Sequence, residues 1–410
     1  MVGDLTQGVP QELGKLPLGH VWNAGVRVRV CLVYDCLFPN TVGGAERWYR
    51  NLAERLAAEG HEVIYLTLRQ WEAGEEPDIP GVRVVAVGPR MGLYTAGGRR
   101  RIVPPLVFGV GVLWHLLRHS HRYSVVHTSS FPYFSLLAAA LVRPLGRYRL
   151  ITDWHEVWSA EYWREYLGPA GWFGIAVQRR CARVRQQAFC FSRLHAARLR
   201  AEGLRGEIVV LGEYAGSLEP EPTVPGGLRV AFAGRLIPEK RAPSVVAAVG
   251  LAAERIPGLH GVIFGDGPGR NDVRAAIATL ATPGLVDAPG FVPAAELHEA
   301  LRRACCMVLP SRREGHGLVV VEASACGTPS IVVRGPDNAA VELVEDGVNG
   351  VIAASADPSD LAAAIVRVHE AGEPMRESTR EWFRANSGRL SLDGSVEEIL
   401  SSYTNGRVRP

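Results

Sequence analysis

Lysine is almost missing from this chain. Of its 45 Lys and Arg residues only Lys15 and Lys240 are lysines, and neither suits a Schiff-base cofactor such as pyridoxal phosphate. The seven cysteines (Cys31, Cys36, Cys181, Cys190, Cys305, Cys306 and Cys326) are odd in number and show no C-x-x-C spacing. Several sit in apolar, strand-like runs, the pattern of reduced, buried thiols in a cytoplasmic protein, and no metal site is expected. No full G-x-G-x-x-G is present, so the NAD-type fingerprint is absent. A net charge of +3 gives no reason to expect nucleic acid as a partner. Residues 1–22 carry Asp4 and Glu12 and no continuous apolar core, so they read as a loose leader rather than a signal peptide. The most apolar stretch, Ile102 to Leu117, is short for a bilayer span and contains Pro104, Pro105 and Gly109. It reads as a buried helix; a peripheral membrane contact is the second reading, because Arg99–Arg101 and Arg118 flank it. Wealth in Arg, Ala and Gly beside scarce Lys is a bias of the GC-rich, actinobacterial kind.

What is present is a globular balance, 47% hydrophobic and 21% charged, in a chain long enough for two domains. Val26–Val33 reads as a buried strand. A loop through Gly43-Gly44 follows, then a helix over Ala45–Ala58 ended by Gly60, then a strand over His61–Leu68. The rhythm returns at Val82–Val87, Tyr123–Thr128, helical Tyr133–Leu145 and Tyr148–Thr152, which implies parallel pairing in an α/β sheet. Three prolines and two glycines between Leu218 and Gly227 are linker chemistry. The rhythm then restarts with strand Leu228–Phe232, helix Pro243–Ile256 and strands Leu259–Phe264, Cys305–Leu309, Pro329–Val333 and Gly350–Ala353. Asp357-Pro358 is a helix start with a capping Asp. The expected fold is two Rossmann-like domains, 23–217 and 228–385, facing a cleft. Residues 386–410 form a helix that packs back on the first domain. Ligands of such sheets bind at the carboxyl ends of the strands.

Four stretches carry chemistry at those ends. After the strand ending at Leu309, a loop crosses Glu314-Gly315-His316-Gly317 into a helix beginning near Leu318. Free N–H groups at that helix start suit a diphosphate, and the glycines allow close approach. Glu314 in the loop and Glu322 in the helix can accept hydrogen bonds from two ends of a polyol ligand. The plainer readings are a Ser311-x-x-Glu314 capping box and a solvated Glu322. Arg235 and Lys240 leave one strand end five residues apart and form a candidate diphosphate clamp, against two merely exposed cations. Gly43-Gly44 offers backbone approach beside a helix start, a weak signal alone. Gly265-Asp266-Gly267-Pro268-Gly269 reads as a tight turn lining the cleft. Thr152-Asp153-Trp154-His155-Glu156-Val157-Trp158 suits a sugar-binding wall, the alternative being a core aromatic cluster with a satisfied His.

Taken together, Gly234-Arg235-Leu236…Glu239-Lys240, Gly265-Asp266-Gly267-Pro268 and Glu314-x7-Glu322 occur in an order that resembles the retaining GT-B glycosyltransferases of family 4. The resemblance runs from about Val26 to the C-terminal helix. It implies a nucleotide diphosphate sugar as donor, with uridine the commonest base, retention at the anomeric carbon, and no metal or cofactor, in keeping with the lack of a D-x-D pair. By that resemblance Arg235 and Lys240 neutralise the departing diphosphate, and Glu322 binds the ribose. Glu314 and the backbone of Gly315, His316, Gly317, Leu318 and Val319 hold sugar and phosphates. Gly234, Gly265 and Asp266 line the donor site, Phe291 and Val292 flank the base, and Gly43 and Gly44 approach from the opposite domain. His155 corresponds to an active-site His beside the transferred sugar. The catalytic set is thus His155, Glu314, Arg235 and Lys240. Where His316 stands the family often has Phe, which leaves the sugar open. Asp153, Trp154, Glu156 and Trp158 are the expected acceptor contacts, the acceptor being a small molecule or a saccharide. The rival readings are a sugar-nucleotide epimerase of the same fold and a non-catalytic nucleotide-sugar-binding protein.

Overall fold

The computed structural model describes residues 27–41, 43–72, 74–93, 95, 100–220 and 226–404. The expected leader and residues 221–225 of the expected linker lie outside them. Apolar runs such as Val30–Val33 and Val230–Ala233 are buried on both faces, as strands in the middle of parallel sheets must be.

The first half holds β1 (Arg29–Val33), α1 (Gly44–Ala58), β2 (Glu62–Thr67), β3 (Val82–Ala86), α2 (Val103–His119), β4 (Val125–Ser129), α3 (Tyr133–Gly146), β5 (Arg149–Trp154), α4 (Ala160–Leu167), α5 (Gly171–Ala182), β6 (Gln187–Cys190), α6 (Arg193–Ala201) and β7 (Ile208–Val210). Its strands pair in the order β3-β2-β1-β4-β5-β6-β7, all parallel. The second half holds β8 (Arg229–Ala233), α7 (Ala242–Ala253), β9 (His260–Phe264), α8 (Arg270–Ala278), β10 (Val286–Gly290), α9 (Ala294–Arg302), β11 (Cys306–Leu309), β12 (Arg313–Glu314), α10 (Leu318–Ala325), β13 (Ser330–Val333), β14 (Asp337–Asn338), β15 (Gly350–Ala353), α11 (Pro358–Leu390) and α12 (Leu392–Thr404). Its main sheet runs β10-β9-β8-β11-β13-β15, also parallel; β12 and β14 form a separate short pair. Strand order reverses between β1 and β4 and between β8 and β11, and these two switch points are where a crevice opens.

Each sheet has its own core, and the chain passes between them twice. Leu211 packs in the first core and Tyr214 in the second; Leu390 packs in the second, whereas Leu392, Val396, Ile399 and Tyr403 of α12 pack in the first. The crossing therefore falls at Ser391. The boundary expected at 386 shifts there because residues 386–390 continue α11. Backbone bonds from Tyr214 N–H to Leu390 O and from Leu392 N–H to Tyr214 O tie the two crossings together.

Three details differ from expectation. The side chain of Asp357 makes no capping bond at the start of α11; Ser355 Oγ bonds Asp360 and accepts the Asp357 N–H instead. α11 is broken at Gly372, which has non-helical angles two residues before Pro374. The expected buried helix, α2, is buried on one face only. Phe108, Val112 and Leu116 point into the core, while Val110 is 67% and Trp114 61% exposed.

Candidate active site

The loops after β8 and β11 meet on one side of the cleft. Lys240 forms an ion pair with Glu314, and Ser311 Oγ donates to the same Glu314 oxygen at 3.1 Å. The Ser311–Glu314 spacing thus serves a side-chain bond rather than a capping box, and Arg313–Glu314 is the short strand β12, not a first helical turn. Arg235 is exposed and forms no ion pair among the described residues. α10 begins at Gly317, whose φ of +95° is left-handed, and no side chain caps it. Its leading N–H groups are therefore open to an anionic group. Gly265 has φ +122°, and a Cβ there would lie 1.9 Å from Gly234 O. The turns after β8 and β9 can touch only because Gly265 has no side chain.

Glu322 sits within α10 and forms no hydrogen bond or ion pair with its carboxylate among the described residues. Burial raises its pKa, and Arg47 of α1 and His298 offset that in part. Phe291 follows β10, is 65% exposed and adjoins half-buried Val292.

The first half supplies the opposite wall. A Cβ on Gly315 would lie 2.8 Å from His155 O, so the loop carrying Glu314 abuts the end of β5 directly. His316 is buried, with Nδ1 2.7 Å from Phe191 O, a further contact across the cleft. Gly44 opens α1, and Gly43 precedes it, with Glu46 folded back so that a Cβ on Gly43 would strike its carboxylate. His155 stacks on Phe191 with ring centres 4.4 Å apart. Its Nδ1 lies 3.5 Å from Glu213, and its buried Nε2 has no hydrogen-bond partner. Burial alone would lower its pKa; the carboxylates of Glu213, then Asp153 and Glu46, outweigh burial and hold it above the ordinary histidine value.

Two expected acceptor contacts are corrected. Asp153 and Trp154 are fully buried, because β5 runs on through Trp154. Asp153 accepts from Trp48 Nε1 at 2.8 Å and from His127 Nε2 at 2.7 Å, and Trp154 Nε1 donates to Gln186. Both are core groups, held by the interior rather than offered to a ligand. Glu156 and Trp158 do lie at the cleft. Trp158 Nε1 donates to Glu156, which also pairs with Arg313 from the other half. Burial raises the Glu156 pKa, but Arg313, His195, the Trp158 N–H and Lys240 together outweigh it, so the carboxyl lies below the usual range. Trp158 stacks on Phe131, and the Arg313 guanidinium lies 4.4 Å from the Tyr162 ring centre.

Several site residues escaped the sequence reading. Glu213 lies in a connection with no motif around it. Asp35, fully buried at the end of β1 and paired with Arg100, has no flanking signature, and one of its oxygens lacks a partner. A hollow of about 670 Å³ lies elsewhere, between Arg229, His260, Asp287, Glu296 and Arg303 at the amino-terminal side of the second sheet. None of the motif residues lines it.

Replacing Glu213 by Gln is expected to lower the titration midpoint of His155, since the uncharged amide no longer favours the imidazolium while the burial cost remains. The His155 ring resonance followed by NMR across pH reads this directly. A midpoint equal to that of the parent protein would assign the effect to Asp153 and Glu46 instead.

Comparison with known proteins follows this geometry. The glycosyl transferases group 1 family model matches residues 219–384, and the glycosyltransferase family 4 model matches residues 42–212. A stretch of 192 residues is 32% identical to the D-inositol 3-phosphate glycosyltransferase of Actinosynnema mirum, covering 45% of this chain and 45% of that one. The chain thus spans less than half the length of that relative. The architecture is similar to that of a sucrose-phosphate synthase from Thermosynechococcus elongatus, with TM-score 0.72 and 19% identity over 92% of this chain and 99% of that one. It is also similar to Anabaena HepE in complex with UDP-glucose, with TM-score 0.68 and 17% identity over 93% and 100%. With one family model on each half and the two-sheet architecture shared along nearly the whole length, the chain belongs to the GT-B glycosyltransferases of family 4, the glycosyl transferases group 1.

Proposed function

We propose that this protein transfers a sugar from a nucleotide diphosphate sugar, with uridine as the base, to a small-molecule or saccharide acceptor, with retention at the anomeric carbon. The observation that carries the reading is the ion pair of Lys240 with Glu314 before the uncapped start of α10, directly across from His155, with Arg235 exposed on the loop that carries Lys240. Two cations and a helix start together can stabilise the negative charge that grows on a departing diphosphate. In other transferases a metal ion neutralises that charge; here the cations and helix start do so, and the proposed reaction needs no metal. Glu314 takes hydrogen bonds from sugar hydroxyls, Glu322 from the ribose, and Phe291 and Val292 flank the base.

In the proposed step the bond from the anomeric carbon to the diphosphate oxygen breaks, and the bond to the acceptor oxygen forms on the same face. The acceptor proton passes to the departing phosphate oxygen. His155, whose buried Nε2 has no hydrogen-bond partner among the described residues, hydrogen-bonds the transferred sugar in this reading, and the acceptor lies beside Trp158 and Glu156. The seven cysteines are buried and unpaired, and the proposed location is the cytoplasm, where such thiols persist.

Thermal shift against UDP-, GDP-, ADP- and TDP-sugars, with and without EDTA, tests the donor reading. A ligand that binds only the folded state raises the melting temperature by mass action. The expected result is a rise selective for a UDP-sugar and unchanged by EDTA. No rise with any nucleotide sugar at about millimolar concentration would overturn it.

A further inference from the structure

Helix α2 is apolar on nearly every side, and the fold covers only half of it. Pro105, Phe108, Val112 and Leu116 face the core. Val103, Leu106, Val110, Trp114 and Leu117, spaced three and four residues apart, form the opposite stripe and are 43–67% exposed. A helix apolar all round is normally covered all round. The neighbouring α3 adds Leu141 and Leu145, 69% and 70% exposed. Gly146 packs on Ser120, which brings their end of α3 beside the end of α2 that carries Leu117. Of the fifteen large apolar side chains exposed among the described residues, eight belong to Ile102 and these two helices. The surface is therefore one patch rather than a scatter of single residues.

The charges around the patch identify its cover. Between Asp78 and Asp153 the sequence contains no acidic residue and ten arginines. Arg101 precedes α2, Arg118 lies in its last turn, Arg122 follows it, and Arg147 ends α3; all four are exposed. The Arg118 guanidinium lies 3.1 Å from the centre of the Trp114 ring, so the cation is held at the edge of the apolar stripe. Pairing two copies of the chain through this face would set arginine against arginine with no acid to compensate. Among the described residues no helix is long and apolar enough to cross a membrane.

We propose that α2, with the end of α3, lies flat on an anionic lipid surface, its apolar stripe among the acyl chains and its arginines at the headgroup phosphates. An apolar face rimmed by cations, with an aromatic ring at the boundary, is the chemistry of an interfacial helix. None of the donor-site residues belongs to the stripe, so vesicle binding is read apart from the transfer reaction.

The test is co-sedimentation of the full chain with vesicles of phosphatidylcholine alone and of phosphatidylcholine with about a third phosphatidylglycerol. The expected result is binding to the anionic vesicles only, weakened at about 0.5 M salt. Val110→Asp and Trp114→Asp are each expected to lower it by about tenfold or more, with circular dichroism and melting temperature unchanged because both positions are exposed. Arg118→Gln combined with Arg122→Gln should weaken binding to the anionic vesicles while preserving the fold. Equal binding to both vesicle types, binding to neither, or a dimer in sedimentation analysis that Val110→Asp dissociates would overturn the proposal.

Discussion

Alanine at Glu314 or at Lys240 is expected to lower turnover by roughly 10²–10³-fold while the protein stays folded. The two side chains are partners, each about 15% exposed at the mouth of the cleft, and Ser311 holds Glu314 from the other side. Lys240 has two tasks in the proposed reaction. It fixes Glu314 through their ion pair, and it supplies positive charge when the diphosphate departs. That charge grows only as the bond breaks, so its loss should appear in kcat more than in KM. Glu314→Ala removes an acceptor for sugar hydroxyls and also frees Lys240 to swing away from the phosphate position. Groups that act as one unit do not contribute independently. The double variant should therefore be little worse than the poorer single variant, far short of the product of the two losses. Steady-state kinetics on the UDP-sugar selected by thermal shift gives all four corners of this cycle. Parent-like rates in both single variants would remove the pair from the chemistry. A fully multiplicative double loss would mean that they act apart.

Much of the fold was legible because a parallel sheet buried on both faces leaves long apolar runs. Val26–Val33, Leu228–Phe232 and Pro329–Val333 read as strands at once, and the glycines and charges after them marked the carboxyl ends. β10 left no such trace. It is an edge strand containing Asp287 and Pro289, and two of its five residues are exposed. α2 misled for the opposite reason. Its apolar residues cover all faces, and periodicity alone does not say which of them the fold will cover. Lys240 stood out because lysine is so scarce, and it meets Glu314 in the fold. Glu213 did not, since it reaches His155 across a connection that only the folded chain creates. The error at Asp153 and Trp154 came from ending β5 at Thr152. Two further residues of strand moved both side chains from the cleft into the core.

That misplaced carboxylate has its own consequence for stability. Asp153→Ala is expected to destabilise the fold by about 3–5 kcal/mol, the penalty for removing one partner from a buried charged network. Asp153 is wholly buried and accepts from Trp48 of α1 and from His127 of β4. Because the carboxylate can only accept, His127 donates to it from Nε2, and its Nδ1 meets the Tyr403 hydroxyl of α12 at 2.7 Å. One carboxylate thus orients the imidazole through which the C-terminal helix is fastened to the first core. Asp153→Asn keeps the shape but offers one acceptor where two donors converge, so a donor faces a donor and about 2–4 kcal/mol is lost. Burial raises the Asp153 pKa, but His127, His155 and the Trp48 N–H outweigh it and hold the pKa below the ordinary aspartate value. The sign of the pH effect follows. The stabilising contribution is present above the unfolded-state pKa and disappears as pH falls through the lower folded-state value. Denaturant unfolding of the parent and Asp153→Asn at pH 7 and at successively lower pH measures it. The gap between them should narrow with acid, and a gap that stays constant would show that the carboxylate charge contributes nothing to holding α12 in place.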